Sequence, residues 1–562
     1  MHVRPYSATY MQHALRFFYQ FLGIVLLVLP AWAQVPVFEG TIGVGKTATY
    51  VDQTQVSSVV VDAAGTSYTT GTFRGSLTLG STTLISVGDY DVYVAAQDAS
   101  GAYRWAVQAG GSQWDISTGL ALDASGNLYV GGYTESYEAS FSTFKLRNES
   151  YGGSVFIAKL SPSGTWLQVS TAGGAGNNYT YSGGIAVDAS GNVYMTGLLR
   201  GRDIRFGATS VANEGVYNAF VAKLDPTGKW QWAVVEKGNG YDAGNGIAVD
   251  RSGDVYVAGN FQGTAAQFGS TILRNAGYRG DVFVAKLDTS GSWLWAVRGG
   301  SNADENGSAI AVDRAGNAYV TGTVAGSSAQ FGSIVLTKKD ASLDLFVGKL
   351  STAGDWQWVM AGGGDGEDAG AAIAVDAGGR ATVAGSFEGS TARFGALPTL
   401  TTAGGADVVV AQVETDGTWR WAVGGGGLGD DYSRALALTP TGSAQVVGLF
   451  EGPSLSLGAT TLPGGSKQDG VYARLGFVTS VADASLRSPS GELTLWPNPS
   501  RGTVWGTGFE AGQPVQVFDA VGRLVVADAR PAYEATGLVL PTLQPGTYIL
   551  RCGAQARRFV LE

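Results

Sequence analysis

The stretch AIAVDRAGNAYVTG, Ala309 to Gly322, decides the fold. It begins as a short apolar alternation, breaks at Asp313-Arg314-Ala315-Gly316-Asn317, and resumes as a second alternation, the pattern of an antiparallel hairpin. An aspartate that accepts backbone N–H bonds, followed three residues later by a glycine free to take φ > 0, is what such a turn requires. The same residues could be mistaken for a metal loop. An EF-hand-type calcium loop, however, needs oxygen ligands at alternating positions and a distal glutamate, which Arg314 and Ala315 do not provide. Asp313 is expected to shape a turn.

The motif recurs along the chain. Aligning on its aspartate gives Asp62, Asp123, Asp188, Asp250, Asp313 and Asp376, with Thr439 in the seventh place, at spacings of 61, 65, 62, 63, 63 and 63 residues. Glycine follows three residues later in all seven copies, which helps to explain a content of 85 glycines in 562 residues against a usual share of about 7%. Within one copy, GIAVD (Gly246 to Asp250), DVYVAGNF (Asp254 to Phe261), DVFVAKLD (Asp281 to Asp288) and SWLWAVRG (Ser292 to Gly299) each read as a strand. Four antiparallel strands in seven tandem copies, from about residue 35 to 477, specify an all-β, seven-bladed β-propeller. The seventh copy lacks its Trp-rich fourth strand, and VFEGTIG, Val37 to Gly43, stands where it can complete that blade. Closure of this kind removes open sheet edges.

The N-terminus reads as a secretory signal. Arg4 and Arg16 precede the apolar run Phe21 to Leu29 and the small-residue site Ala31-Trp32-Ala33. The run is far shorter than the roughly 20 residues a membrane-spanning helix needs. Residues 1–33 are expected to be removed, leaving a soluble propeller over 34–477 with no transmembrane segment. Loss of two arginines then moves the formal charge from −10 to −12, 34 basic against 46 acidic residues. Such a balance argues against nucleic acid as a partner. Both histidines, His2 and His13, lie in the signal, and Cys552 is the single cysteine. Ser-His-Asp and Cys-His catalysis, structural zinc and a disulfide framework are excluded for the mature chain.

Three recurrent side-chain sets invite functional readings. The paired tryptophans Trp230/Trp232, Trp293/Trp295, Trp356/Trp358 and Trp419/Trp421 lie at i,i+2 on the fourth strand, hence on one face. They could stack on sugars, but their recurrence favours packing between blades, as it does for Phe206, Phe268, Phe331 and Phe394 of the FG motif. Lys159, Lys223, Lys286 and Lys349 of the third strand are expected to be internal ion-pair partners. The segment GTIGVGKT, Gly40 to Thr47, matches the phosphate-loop pattern but falls in the repeat register with no helix after it, so a chance match is expected.

The third set is a ring of acids eight residues before the aligned position: Asp115, Asp242, Glu305, Asp368 and Asp431, completed by Thr54 and Thr180. Their place in the connection from one blade to the next puts them around one face near the central channel. One reading is that each caps its own connection. The other is that the ring binds a divalent cation, calcium above all, or a cationic ligand group. No cofactor is otherwise required.

Beyond a Ser- and Ala-rich linker at 478–492, residues 493–562 read as a small β-sandwich. This tail resembles the type A C-terminal sorting domain of the bacterial type IX secretion system. The matching residues are Trp496-Pro497-Asn498-Pro499, Val517-Phe518-Asp519 with the Gly522-Arg523 hairpin, and Leu543-Gln544-Pro545-Gly546-Thr547-Tyr548. The resemblance implies type IX secretion machinery as a partner and a secreted or outer-membrane-surface protein of a Gram-negative bacterium. The repeats resemble bacterial propeller repeats of the type AVDxSGNxYVxG followed by FVAKLDxxG, which implies the fold and little function. The expected function is a monomeric, non-catalytic binding module for a glycan or protein ligand. The alternative is a secreted carboxylate-dependent glycan hydrolase or lyase.

Overall fold

In the fifth blade the inner strand Asn306–Val312, the second Ala318–Val324, the third Asp344–Leu350 and the outer Trp356–Gly364 pair antiparallel in that order. The second and third strands are buried almost throughout. A strand between two blades has no wet face, so the small and polar residues Thr321, Gly322 and Gly348 that alternate with the apolar ones are enclosed as well. This computed structural model describes residues 36–44, 53–150, 152–176, 178–277, 279–464 and 468–476, together with short strands between 494 and 561. Among the described residues all regular structure is strand. The expected signal at 1–33, the linker at 478–492, residues 45–47 of the GTIGVGKT match, and the sorting-motif residues Pro497, Asn498, Pro499 and Gly522 lie outside them.

Seven such four-stranded units follow one another. Their inner strands begin at Gln53, Asp115, Tyr179, Ala243, Asn306, Ala369 and Asp431, and each packs on the next. The last packs on the first, so the ring is closed. Closure uses the strand expected for it: Val37–Val44 pairs antiparallel with Asp469–Gly476, with Ile42 opposite Tyr472 and Val44 opposite Gly470. The seventh blade is therefore built from both ends of the residues 36–476, which form one compact unit.

Two features depart from the sequence reading. First, most blades insert a short hairpin between the second and third strands, such as Ser328–Phe331 with Ile334–Thr337. Its first arm pairs with the end of the preceding blade's outer strand, Phe331 opposite Gly299 and Gln330 opposite Gly300. The FG motif is the tip of this hairpin. In the third blade the hairpin is continuous with its long parent strands, Val193–Phe206 and Thr209–Leu224. Second, the tryptophan pairs do not share a face. Trp293 stands opposite Leu287 and Trp295 opposite the adjacent Lys286, because a bulge consumes the residue between them.

The two indoles of a pair accordingly serve different neighbours. The first packs edge-on against the FG phenylalanine of its own blade, as in Phe331–Trp356 and Phe268–Trp293, with centroids 5.0 Å apart. Its Nε1–H reaches back where a carbonyl is available, Trp356 to Arg298 at 3.2 Å. The second indole donates forward to the next blade, Trp232 to Thr289 at 3.2 Å and Trp295 to Thr352 at 3.1 Å. Packing between blades is therefore what the tryptophans do, as their recurrence suggests.

The C-terminal strands make a unit of their own with two antiparallel sheets. One holds Thr494–Trp496, Thr503–Thr507 and Leu538–Val539. The other holds Val515–Asp519, Leu524–Val526, Gly546–Cys552 and Gln555–Leu561.

Candidate binding face

The turn aspartates come first, because their role removes them from the site. Asp313 Oδ1 accepts the backbone N–H of Ala315 and of Asn317, both at 2.9 Å, and Oδ2 accepts the Asn317 side chain at 2.8 Å and the Tyr319 hydroxyl at 3.3 Å. Gly316 takes φ +85° and closes the turn on the Asp313 carbonyl. Burial opposes the charge, but the Asn317 side chain, the two backbone donors and nearby Lys349 hold the carboxyl below its ordinary value. The third-strand lysines complete the constellation: Lys286 lies 3.5 Å from Asp250 and 2.9 Å from Asp254, with its ammonium over the Tyr256 ring. The internal ion pair expected of these lysines is present here and, at 3.8 Å, between Lys159 and Asp123.

The five ring acids stand at or just before the start of an inner strand. Their backbone N–H groups stitch neighbouring blades: Asp115 to Tyr90 O at 2.8 Å, Asp242 to Tyr217 O at 2.9 Å, Glu305 to Gly280 O at 2.7 Å, Asp368 to Leu343 O at 2.8 Å and Asp431 to Ala406 O at 2.6 Å. All five side chains are buried, between 0% and 2% exposed, so they do not line an open channel. Four of them bond the residue four positions back. The donors are Gly111 N to Asp115 (2.7 Å), Ser301 N to Glu305 (2.8 Å), Gly364 N to Asp368 (2.6 Å) and Gly427 N to Asp431 (2.5 Å). Asp242 instead accepts from Gln262 N at 2.8 Å.

A second set of acids, missed in the sequence, faces the first. Asp91, Asp281, Asp344 and Asp407 begin third strands, each 24 residues before a ring acid, and interact with Asp115, Glu305, Asp368 and Asp431 across the blade boundary. At the third boundary Asn218 takes that place and Glu236 supplies the carboxyl facing Asp242. The recurrent Asp at the head of DVxVA was the available signal, but its partner belongs to the following repeat. Burial is the main cause of the raised pKa values here, pushing Asp91, Asp368 and Asp431 each up to about 7 despite their backbone donors. Glu236 and Asp242 are both raised, by burial and, for Glu236, also by Asp242. Each pair sits at its own boundary, and among the described residues no three carboxylate, histidine or cysteine side chains converge as a metal ion would require.

Above this buried ring the face loses its regularity. The residue preceding each ring position is Gln53, Trp114, Tyr179, Tyr241, Asp304, Glu367 and Asp430 in turn. Three successive blades thus present aromatic rings and the next three present carboxylates. Trp114 and Tyr241 are 47% and 43% exposed, against the burial of the aromatic side chains that pack the blades. On the aromatic side Tyr133 meets Tyr181 edge-on at 4.7 Å, Tyr179 stacks with Tyr181 at 6.5 Å, and Tyr217 meets Tyr241 at 5.1 Å. Burial and the Glu135 carboxylate raise both Tyr133 and Tyr181, and Tyr217 and Tyr179 are close enough to add to the effect on Tyr181. On the carboxylate side burial raises Glu388, helped by Glu367 and Asp430.

The repeat itself is recognised in comparison with known proteins. A β-propeller repeat family model, SBBP, matches residues 104–138 and 299–323. The fold is a β-propeller of tandem repeats. An uncharacterised WD repeat-containing protein of Acanthamoeba polyphaga mimivirus is 30% identical over 146 residues, covering 24% of this chain; the match spans only 10% of that relative. Among solved structures, a protein of unknown function from Dyadobacter fermentans is 9% identical, covering 79% of this chain and 99% of its own, with a TM-score of 0.38. A leech intramolecular trans-sialidase is 8% identical, covering 76% and 92%, with a TM-score of 0.33. At such identities and scores neither speaks to function. Among the described residues of this propeller no helix is long and apolar enough to cross a membrane.

Proposed function

We propose that the protein is an exported, non-catalytic binding module whose recognition surface is the face bearing the outer-to-inner connections. The observation that carries this reading is the break in the repeat. Turn aspartates recur in six of the seven copies and tryptophan pairs in four successive blades, whereas the residue before each ring position changes from aromatic to acidic halfway round. A purely structural position would have no reason to alternate in blocks. The boundary pair Glu236 and Asp242 is sealed, at 1% and 0% exposed, so no glycosidic bond reaches it. The test is retention of a ligand from a glycan and protein panel by the full chain, followed by mass spectrometry of that ligand. Binding with the ligand unchanged is expected, and cleaved product would favour the enzyme.

In this reading the ring acids act as caps of the connections between blades rather than as a calcium site. Calorimetric titration with calcium is expected to give no heat. Heat that disappears in both Asp242→Asn and Asp368→Asn would restore the cation role. Export is read as type IX secretion through residues 493–562, placing the mature protein in the medium or on the surface of a Gram-negative bacterium. The Gly522-Arg523 hairpin of the resemblance is supported at Arg523, whose backbone N–H and Nε donate to Asp519 at 2.9 and 2.8 Å. Gly546 and Tyr548 lie in the strand Gly546–Cys552. Intact mass of the exported protein is expected to lack about 70 C-terminal residues by analogy with that family, and retention of Glu562 would contradict processing.

A further inference from the structure

The aromatic half of the recognition face carries five tyrosines whose arrangement differs from packing elsewhere in the ring. Tyr133, Tyr179 and Tyr181 form one cluster and Tyr217 and Tyr241 another, joined through the proximity of Tyr181 and Tyr217. The core tyrosines of the second strands are buried and bond their hydroxyls to turn aspartates. The five on this face are half-buried or exposed, and none of their hydroxyls has a hydrogen-bond partner among the described residues. Neither does the carboxylate of Glu135, which lies beside Tyr133 and Tyr181. Arg200 stacks 5.7 Å from the centroid of Tyr217.

We propose that this arc is a binding site for a neutral oligosaccharide, which rests on the binding-module reading above. Sugar rings have an apolar C–H face and a hydroxyl edge. The arc offers the matching surfaces, aromatic faces bordered by phenol hydroxyls and one carboxylate that no protein group uses. Charge narrows the class further. Glu135 within the arc and Glu367, Glu388 and Asp430 across the same face outnumber the one guanidinium on Tyr217, that of Arg200, and disfavour anionic glycans, while Asp304 is paired with Arg279. The arc presents hydrogen-bonding tips to solvent, with Val216 the exposed aliphatic neighbour.

The test uses the full chain and immobilised maltohexaose, cellohexaose, xylohexaose and chitohexaose at up to millimolar concentration. At least one is expected to bind. Tyr241→Ala and Tyr217→Ala should each weaken it by about tenfold, the scale of one lost aromatic anchor. Tyr181→Phe, which keeps the ring and removes the hydroxyl, should weaken it less, and Tyr432→Ala, beside Asp430, Glu388 and Glu451 on the acidic half, should leave it unchanged. Melting curves of the variants separate lost binding from lost fold. A hexasaccharide that binds all tyrosine variants equally would overturn this site while leaving the binding-module reading intact. So would the loss of a protein ligand, rather than any sugar, in Tyr241→Ala. Absence of any ligand from either panel would overturn both.

Discussion

At the scale of single residues the aspartates divide into two populations with opposite electrostatics. Turn aspartates such as Asp123 and Asp313 are held below their ordinary values by surrounding donors, whereas Asp91, Asp368 and Asp431 are raised by burial to about 7. A carboxyl with a raised folded value contributes stability that is complete below its unfolded value, 3.8 for aspartate, and lost as pH rises through the folded value. A depressed carboxyl does the reverse and loses its contribution as pH falls below 3.8. The melting temperature is therefore expected to be highest near pH 4, to fall as pH rises to about 7 and to level off above that. Asp368→Asn should flatten the upper limb; a midpoint that rises from pH 5 to 8 in the parent would contradict this. Asp313→Ala removes a four-bond cap and is expected to cost about 1–3 kcal/mol in a denaturant titration, while a change within about 0.5 kcal/mol would mean the turn holds without it. The turn role was legible from the Asp and Gly spacing alone. The facing carboxyl pairs were not, because their members lie in successive repeats and only the three-dimensional boundary brings them together.

At the scale of elements the FG hairpin is the part that sequence pattern hid. Its arms, Ala265–Phe268 and Thr271–Arg274, are four residues each, too short for an alternation to stand out from a loop. The recurrence of phenylalanine was visible, but not that Gly332 at φ +57° lets the chain reverse beside Trp356, where a Cβ would sit 3.2 Å from the indole. The bulge beside the tryptophans was likewise invisible. Spacing of i,i+2 puts two side chains on one face only in an uninterrupted strand. Phe331 is fully buried and touches both Phe346 and Trp356. Phe331→Ala is expected to destabilise by about 3–5 kcal/mol through the cavity it leaves, read as a shifted denaturant midpoint with the slope unchanged. A loss below about 1 kcal/mol would mean the hairpin is not part of the cooperative core.

At the scale of the whole molecule the repeat period determined nearly everything that could be read in advance: the number of blades, their strand order and the use of the first strand to finish the last. What period cannot convey is the one place where copies differ. The block change from aromatic to carboxylate becomes a face only once the ring is closed. Closure is thus the claim on which fold, blade boundaries and recognition surface all depend. It rests on the pairing of Val37–Val44 with Asp469–Gly476. Deleting residues 34–46 leaves that edge unpaired, so the thermal midpoint should drop markedly and the exposed strand should promote self-association in sedimentation. The most direct measurement is the melting curve of this deletion beside the intact chain: a marked fall is predicted, and an unchanged curve would contradict the closed ring.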